Sequence, residues 1–145
     1  MIYNINSERR YGMKKRNTLQ KTIILEALKE LMGKHPTPAE VYAHVREKYP
    51  SISQATVFRV LAGEVEDGTA QRVYAPDSSL RYEYGTRKHY HVSCRACGKV
   101  EDVEMPYLDG LEANAEGLNG FKVERHIVEF IGICPECNEQ NNDNI

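Results

Sequence analysis

Apolar residues recur at the three- and four-residue spacing of a helix over the first part of the chain. The spacing predicts a first helix over residues 18–31, and Gly33 follows where a helix would end. A second helix is predicted to begin at Pro38, with Thr37 as its N-terminal cap, and to end before Pro50. Each helix carries its apolar residues on one face, so both are expected to pack into a small core.

A third helix and a β-hairpin are predicted next. Ser53 is a favourable N-terminal cap for a helix over residues 54–66, which Gly68 ends. The pattern then changes to the alternation typical of strands over residues 69–74 and 80–84, with turn-forming residues between them. Three helices followed by a two-stranded hairpin predict a winged helix-turn-helix.

The second half of the chain alternates short apolar runs with turn signals. The pattern predicts strands over residues 89–94 and 99–104, a helix over residues 106–116 and a strand over residues 121–133. The polar tail over residues 138–145 is expected to be disordered. The protein is therefore predicted to belong to the α+β class, with a winged helix followed by a small α/β domain.

We predict two domains, residues 1–85 and residues 86–145, and the charge is divided unevenly along the chain. Residues 1–59 contain 11 Lys and Arg against 5 Asp and Glu, and residues 60–145 contain 8 against 16, so charges of +6 and −8 make up the net −2. A basic front and an acidic back favour a polyanion-binding module joined to a metal-binding or regulatory one, although small domains also vary in charge by chance.

No part of the sequence indicates a membrane segment. The apolar runs are shorter than a bilayer span, and the polar, basic N-terminus lacks the apolar centre of a signal peptide. We therefore expect a cytoplasmic protein with no membrane partner.

All four cysteines fall into two Cys-x-x-Cys pairs, each at the end of a predicted strand. Two such turns can bring four thiolates together in the tetrahedral shell that Zn²⁺ prefers. The alternatives are two disulfides or a redox pair, which a cytosolic chain without a thioredoxin-like setting disfavours. The predicted zinc ligands are Cys94, Cys97, Cys134 and Cys137.

A second set of candidate metal ligands is more widely spaced. His89 and His91 are two residues apart on a predicted strand and therefore share a face, with Asp102 on the next strand. Glu83 ends the predicted wing and His35 lies between the first two helices, so both could reach a site between the halves. Five nitrogen and oxygen ligands suit iron(II), manganese(II) or zinc. The alternative is a pair of surface histidines near ordinary carboxylates.

The third helix begins with polar residues that could enter the major groove of DNA. The basic residues before the first helix could bind phosphates or reach the minor groove. A solvated helix face is the alternative explanation. The candidate DNA contacts are Ser53, Gln54, Thr56 and Arg59, with Lys14, Lys15 and Arg16.

Together these residues resemble the Fur family of metal-dependent transcription repressors over about residues 14–137. The matching stretches are Arg16-x-Thr18-x-Gln20-Lys21, His35-Pro-Thr-Pro-Ala-Glu40, Ser53-Gln-Ala-Thr-Val-Phe-Arg59, Arg81-Tyr-Glu83, His89-Tyr-His91, Cys94-Arg-Ala-Cys97-Gly98 and Gly120-Phe-x-Val123. The resemblance implies a homodimer that binds an AT-rich inverted repeat in double-stranded DNA through its winged helices. It also implies dimerisation through the C-terminal half, structural Zn²⁺ on the four cysteines, and regulatory Fe²⁺ or Mn²⁺ on the five-residue set.

The regulatory residues are most similar to those of the peroxide-sensing branch, PerR. That similarity implies that peroxide oxidises a histidine bound to ferrous iron, after which the metal and the DNA are released. Glu83 departs from the aspartate of that branch and resembles the iron- or zinc-responsive branches, whereas Lys88 and Tyr90 stand where iron regulators have histidine or acidic residues. Phe58 replaces a common tyrosine and is expected to touch a thymine methyl group. His126 is a candidate for an additional metal site of some relatives.

Two other classes of protein compete with a repressor. A metalloenzyme would need a nucleophile or general base beyond the metal ligands, and the sequence offers none in a recognisable position. A zinc-stabilised adaptor that binds only protein would not bind DNA with a steep salt dependence. We therefore expect a transcription regulator and not an enzyme.

Overall fold

The computed structural model describes residues 5–142, with side chains from residue 16 to residue 140. The chain forms two compact units: the residues up to Tyr74 with Ser79–Thr86, and Ala75–Ser78 with the residues from Arg87 onward. The helices and strands are α1 (Ile5–Glu30), α2 (Pro38–Lys48), α3 (Gln54–Glu66), β1 (Ala70–Tyr74), β2 (Leu80–Tyr84), β3 (Tyr90–Cys94), β4 (Val100–Val103), a 3-10 helix (Leu111–Asn114), β5 (Glu129–Gly132) and α4 (Pro135–Asn142).

Side-chain caps define where α2 and α3 begin. The Thr37 hydroxyl accepts a hydrogen bond from the Glu40 N–H at 3.2 Å, and the Glu40 carboxylate accepts one from the Thr37 N–H at 2.9 Å. The Ser53 hydroxyl accepts from the Thr56 N–H at 3.2 Å. These bonds satisfy N–H groups that a helix leaves unpaired at its start. Both predicted helix starts are confirmed.

The core of the first unit is continuous and apolar. The three helices contribute most of it, and β2 adds Tyr82, which faces the core while its neighbours Arg81 and Glu83 point to the other face of the strand. The hairpin is antiparallel, with Ala70 opposite Tyr84, which confirms the predicted wing. The buried members of the core are Ile24, Ala27, Leu28, Val41, Val45, Ile52, Val57, Leu61, Ala70 and Tyr82.

The second unit contains a three-stranded sheet in the order β4-β3-β5. β3 pairs antiparallel with β4 and parallel with β5, which places Cys94 opposite Gly132. The central strand β3 carries His91 and Cys94, and His89 directly precedes it.

Four predictions about regular structure were wrong. The first helix begins at Ile5 and not at residue 18. The helix predicted over residues 106–116 is reduced to the 3-10 helix Leu111–Asn114, because Gly110 adopts φ +73°, a conformation that an α-helix does not allow. Only Glu129–Gly132 of the strand predicted over residues 121–133 finds a pairing partner. The tail predicted to be disordered is helical up to Asn142.

Among the described helices, none combines the length and the apolar character that crossing a bilayer requires.

Candidate functional site

The four cysteines form one cluster in the second unit. Their sulfur atoms all lie within 4.8 Å of one another, with 3.7 Å between those of Cys97 and Cys134, and none forms a disulfide. A tight turn after β3 closes with the Gly98 N–H donating to the Cys94 carbonyl at 2.9 Å. The start of α4 supplies Cys137. Four sulfurs at this separation match the donor set of a structural zinc site.

The protein environment favours ionisation of one thiol before the others. Backbone N–H groups of Cys134 and Cys97 point at the sulfur of Cys94 and lower its pKa to about 6. Hydrogen bonds from the Cys137 thiol to the sulfurs of Cys134 and Cys97 raise its pKa to about 12. Zn²⁺ binds thiolates, so its binding to this cluster would displace the protons that the thiols hold in its absence.

His35 and Glu83 form a compact pair within the first unit. His35 is 1% exposed and lies in the loop after α1, where its backbone adopts φ +48°, and Glu83 is 8% exposed on β2. Their nearest ligand atoms lie within 4.8 Å of each other. A non-glycine residue held in the left-handed region is strained, and such strain is concentrated at functional sites.

Three more candidate ligands come together within the second unit. The Oδ1 atom of Asp102 lies 3.2 Å from Nε2 of His89 and 3.3 Å from Nε2 of His91. Asp102 is opposite His91 in the register of β3 and β4. The strand pairing therefore brings together residues that are more than ten positions apart in sequence.

A backbone contact fixes which nitrogen of His89 is available to a metal. Nδ1 of His89 lies 2.7 Å from the carbonyl oxygen of Arg87, and because a carbonyl can only accept, Nδ1 carries a proton. Nε2, the nitrogen beside Asp102, is thereby left to bind a cation. The guanidinium of Arg87 also lies 3.6 Å from Oδ2 of Asp102. The sequence did not identify Arg87, since a backbone carbonyl leaves no signature in it.

His126 takes part in a hydrogen-bonded network. Its Nδ1 lies 2.8 Å from Glu112 Oε1 and its Nε2 lies 2.8 Å from the hydroxyl of Tyr90, which also accepts from the Leu108 N–H at 3.1 Å. The Tyr107 ring stacks on that of His126 at 5.0 Å. Both imidazole nitrogens thus have protein partners, so the contacts of His126 do not support the additional metal site.

The exposed start of α3 narrows the candidate DNA contacts. Gln54 and Arg59 are exposed, and Phe58 is 40% exposed. The hydroxyls of Ser53 and Thr56 lie 2.9 Å apart and belong to the helix cap. Ser53 and Thr56 therefore already have a structural role. The side chains of Gln54, Phe58 and Arg59 are exposed and could contact DNA.

The structure describes the side chains of only some of the basic residues of α1. Arg16 is exposed, and the side chains of Lys14 and Lys15 lie outside the described residues. Lys21 of the same helix forms an ion pair at 2.8 Å with Glu64 of α3, whose side chain is 4% exposed. This pair ties the basic helix to the helix that carries the candidate DNA contacts.

Comparison with known proteins agrees with this geometry. The sequence model of the Ferric uptake regulator family matches residues 12–131. The chain is 39% identical over 127 residues to the peroxide operon regulator of Bacillus subtilis (strain 168), covering 88% of this chain and 87% of that protein. It is 38% identical to the peroxide-responsive repressor PerR of Staphylococcus epidermidis, covering 74% and 72% of the two chains.

Solved structures show the same fold. The peroxide stress regulator of Campylobacter jejuni superposes with a TM-score of 0.69 at 26% identity, covering 94% of this chain and 100% of that one. The ferric uptake regulator of Helicobacter pylori, which has three functional metal-binding sites, superposes with a TM-score of 0.70 at 24% identity, covering 92% and 91%. With its winged helix, its four-cysteine cluster and these matches, the chain belongs to the ferric uptake regulator family.

Proposed function

We propose that this protein is a metal-dependent transcription repressor that releases DNA in response to peroxide. The observation that carries the proposal is the divided set of nitrogen and oxygen ligands. His35 and Glu83 belong to the unit with the winged helix, and His89, His91 and Asp102 belong to the unit with the zinc cluster. We propose that all five bind one Fe²⁺ or Mn²⁺ ion, for which these donors are suited.

A metal bound to both units would control DNA binding by restricting their relative motion. An ion that binds one arrangement of the units more tightly than others shifts the population toward that arrangement. Loss of even one ligand would weaken this restriction. The relatives named as peroxide regulators support peroxide as the signal that removes a ligand.

The DNA partner is proposed to be an AT-rich inverted repeat. In this proposal, Gln54 and Arg59 read base edges in the major groove, Phe58 contacts thymine methyl groups, and Arg16 binds phosphate. An inverted repeat matches a dimer because each half-site faces an identical winged helix.

The surface of the second unit supports a homodimer. Phe121, Ile127 and Ile131 are 77%, 68% and 57% exposed, and β5 is an edge strand of the sheet. Large exposed apolar side chains and an edge strand are liabilities in a monomer and are typical of an interface. We propose that the surface with these residues packs against the same surface of a second copy.

Histidine oxidation is the proposed chemical step. Ferrous iron held by these residues would activate peroxide without net oxidation of the iron, so the electrons that reduce peroxide come from the imidazole. In the balanced reaction, the imidazole of His35, His89 or His91 gains one oxygen atom from hydrogen peroxide, whose other oxygen leaves as water. The exposed fraction of the His91 side chain is 20%, so a small oxidant can reach this edge of the second unit. The nitrogen that bound the ion is less basic in the oxidised ring, and this favours release of the ion.

The test compares protein loaded with iron(II) and with manganese(II), before and after micromolar peroxide. Binding to AT-rich inverted-repeat duplexes selected from a random library is measured, together with mass spectrometry of the peptides that contain the three histidines. We expect loss of DNA binding and gain of one oxygen in the iron form alone. If the iron form still bound DNA after peroxide and its histidines were unmodified, the peroxide response would be refuted.

A metal-uptake regulator is the second candidate, and Glu83 is the observation that favours it. Glutamate is one methylene longer than the aspartate of the peroxide-sensing branch, which alters how the carboxylate binds iron. DNA binding that follows the free metal concentration, with no histidine oxidised, would support this candidate.

A further inference from the structure

Arg81 holds the backbone of the loop that contains His35. Its Nη1 donates a hydrogen bond to the His35 carbonyl oxygen at 3.1 Å. One residue along, the Tyr82 N–H donates to the Pro36 carbonyl oxygen at 2.9 Å. Two adjacent residues of β2 thus hold two adjacent residues of the loop, one through a side chain and one through the backbone.

The loop needs such support because His35 has an unfavourable backbone conformation. Its φ of +48° lies in the left-handed region, which L-amino acids other than glycine avoid. The ring of Pro36 further restricts the residue before it. Without hydrogen bonds that favour this conformation, the loop would relax and carry the imidazole with it.

Arg81 also stands on the same face of β2 as Glu83. Side chains two residues apart on a strand share a face, and Tyr82 between them is buried in the core. The face of β2 that presents the Glu83 carboxylate therefore also supplies the guanidinium that binds the His35 carbonyl. The ligand atoms of His35 and Glu83 lie within 4.8 Å of each other.

We propose that Arg81 is a positioning residue for the regulatory metal, which fixes His35 relative to Glu83 before the ion binds. The inference rests on the proposed role of His35 and Glu83 as metal ligands. A ligand pair that is already in place loses less conformational freedom on binding, so the metal binds more tightly.

The direction in which metal affinity changes on removal of Arg81 distinguishes a positioning role from charge repulsion. Arg81 is positively charged and lies next to a ligand of a cation, so its removal would tighten metal binding if repulsion dominated. Removal of a positioning contact weakens binding instead. The two explanations therefore predict opposite changes in the same measurement.

The experiment measures Mn²⁺ affinity of the full-length, zinc-loaded protein from the electron paramagnetic resonance signal of free Mn²⁺. We expect Arg81→Met, which keeps the aliphatic stem, to weaken binding about tenfold, the loss typical of a hydrogen bond from a charged donor. Arg81→Lys, which keeps a donor and the charge, should stay within about threefold of the wild type. Arg72→Met is the matched control, because Arg72 lies opposite Tyr82 in the same hairpin.

Two further measurements keep the outcomes distinct. His35→Ala should abolish Mn²⁺ binding; if it does not, the proposed metal site is wrong. The hydrogen bond from Arg81 to the His35 carbonyl is then tested in metal-free protein by hydrogen exchange of residues 31–37. Arg81→Met should accelerate this exchange, and Arg72→Met should not. Arg81→Gln replaces the methionine variant if that protein does not fold. Unchanged or tighter Mn²⁺ binding with unchanged exchange in Arg81→Met would overturn the inference.

Discussion

Ten buried apolar side chains form one core in the first unit, whereas the buried apolar residues described in the second unit are Ala75, Tyr90, Cys94 and Val100. The second unit also leaves large apolar side chains exposed, and its chain is irregular between Asn114 and Glu129. The first unit is stabilised by hydrophobic burial, as an ordinary small domain is. The second has too small a core for this and depends on other interactions.

The small core of the second unit explains why the zinc cluster lies there. Small domains with few buried residues are commonly stabilised by a metal or by oligomerisation. The cysteines connect the end of β3, the end of β5 and the start of α4. Metal and partner chain are therefore expected to replace the missing core.

Loss of a zinc ligand should have the largest effect. Cys94→Ser should release zinc and abolish dimerisation, because structural zinc contributes on the order of 10 kcal/mol to the folding of a small domain. Zinc content measured by elemental analysis and mass measured by light scattering check this. Removal of zinc from the wild type with a chelator should reproduce the defect, and a zinc-free variant that remains a stable dimer would contradict it.

A cavity in the first core should have the next largest effect. Leu28 is completely buried, and Leu28→Ala should lower the free energy of unfolding by about 2–5 kcal/mol without loss of zinc. Leu108→Ala is the control, since Leu108 is 42% exposed in the second unit and should change stability little. Urea unfolding followed by circular dichroism gives both values. Equal losses in the two variants would show that the units do not differ as described.

The zinc cluster should also make the second unit sensitive to pH. The pKa of Cys137 is about 12 and that of Cys134 is raised, so at neutral pH both thiols hold protons that zinc must displace. Release of at least these two protons makes the affinity rise by about 100-fold or more per pH unit between pH 6 and 8. Below about 6, the pKa of Cys94, the proton of that thiol also competes and the dependence steepens. Competition with a zinc-binding dye measures the slope, and a slope of one proton or fewer would refute the assignment.

The smallest expected effect is a loss of DNA binding at unchanged stability. Arg59 is exposed at the start of α3, and Arg59→Ala should weaken operator binding by about 1–3 kcal/mol while zinc content and unfolding stay unchanged. Arg46→Ala removes the same charge from an exposed position of α2 and serves as the control. If both variants bind equally well, α3 is not the recognition helix.

Prediction from sequence succeeded where local signals agreed with the core. The starts of α2 and α3 were evident because Thr37 and Ser53 are good caps and the apolar stripes that follow are buried. The segment from Pro106 to Ile133 was predicted poorly. Its alternating apolar residues resemble a helix and a strand, but Phe121 and Ile127 remain exposed in the single chain and provide no packing to stabilise either element.

The sequence by itself determined the starts of α2 and α3, the wing of the first unit and the pairing of the cysteines into two motifs, and it predicts the residues of the zinc and regulatory sites. Caps, helical periodicity and Cys-x-x-Cys spacing act over a few residues, so they can be read along the chain. Only the tertiary structure decided the left-handed backbone of His35, the proton on Nδ1 of His89 and the contact of Arg81 with the His35 carbonyl. The contact of Arg81 joins residues 46 positions apart, and all three features involve backbone geometry or backbone carbonyls, which every residue has and no sequence pattern marks.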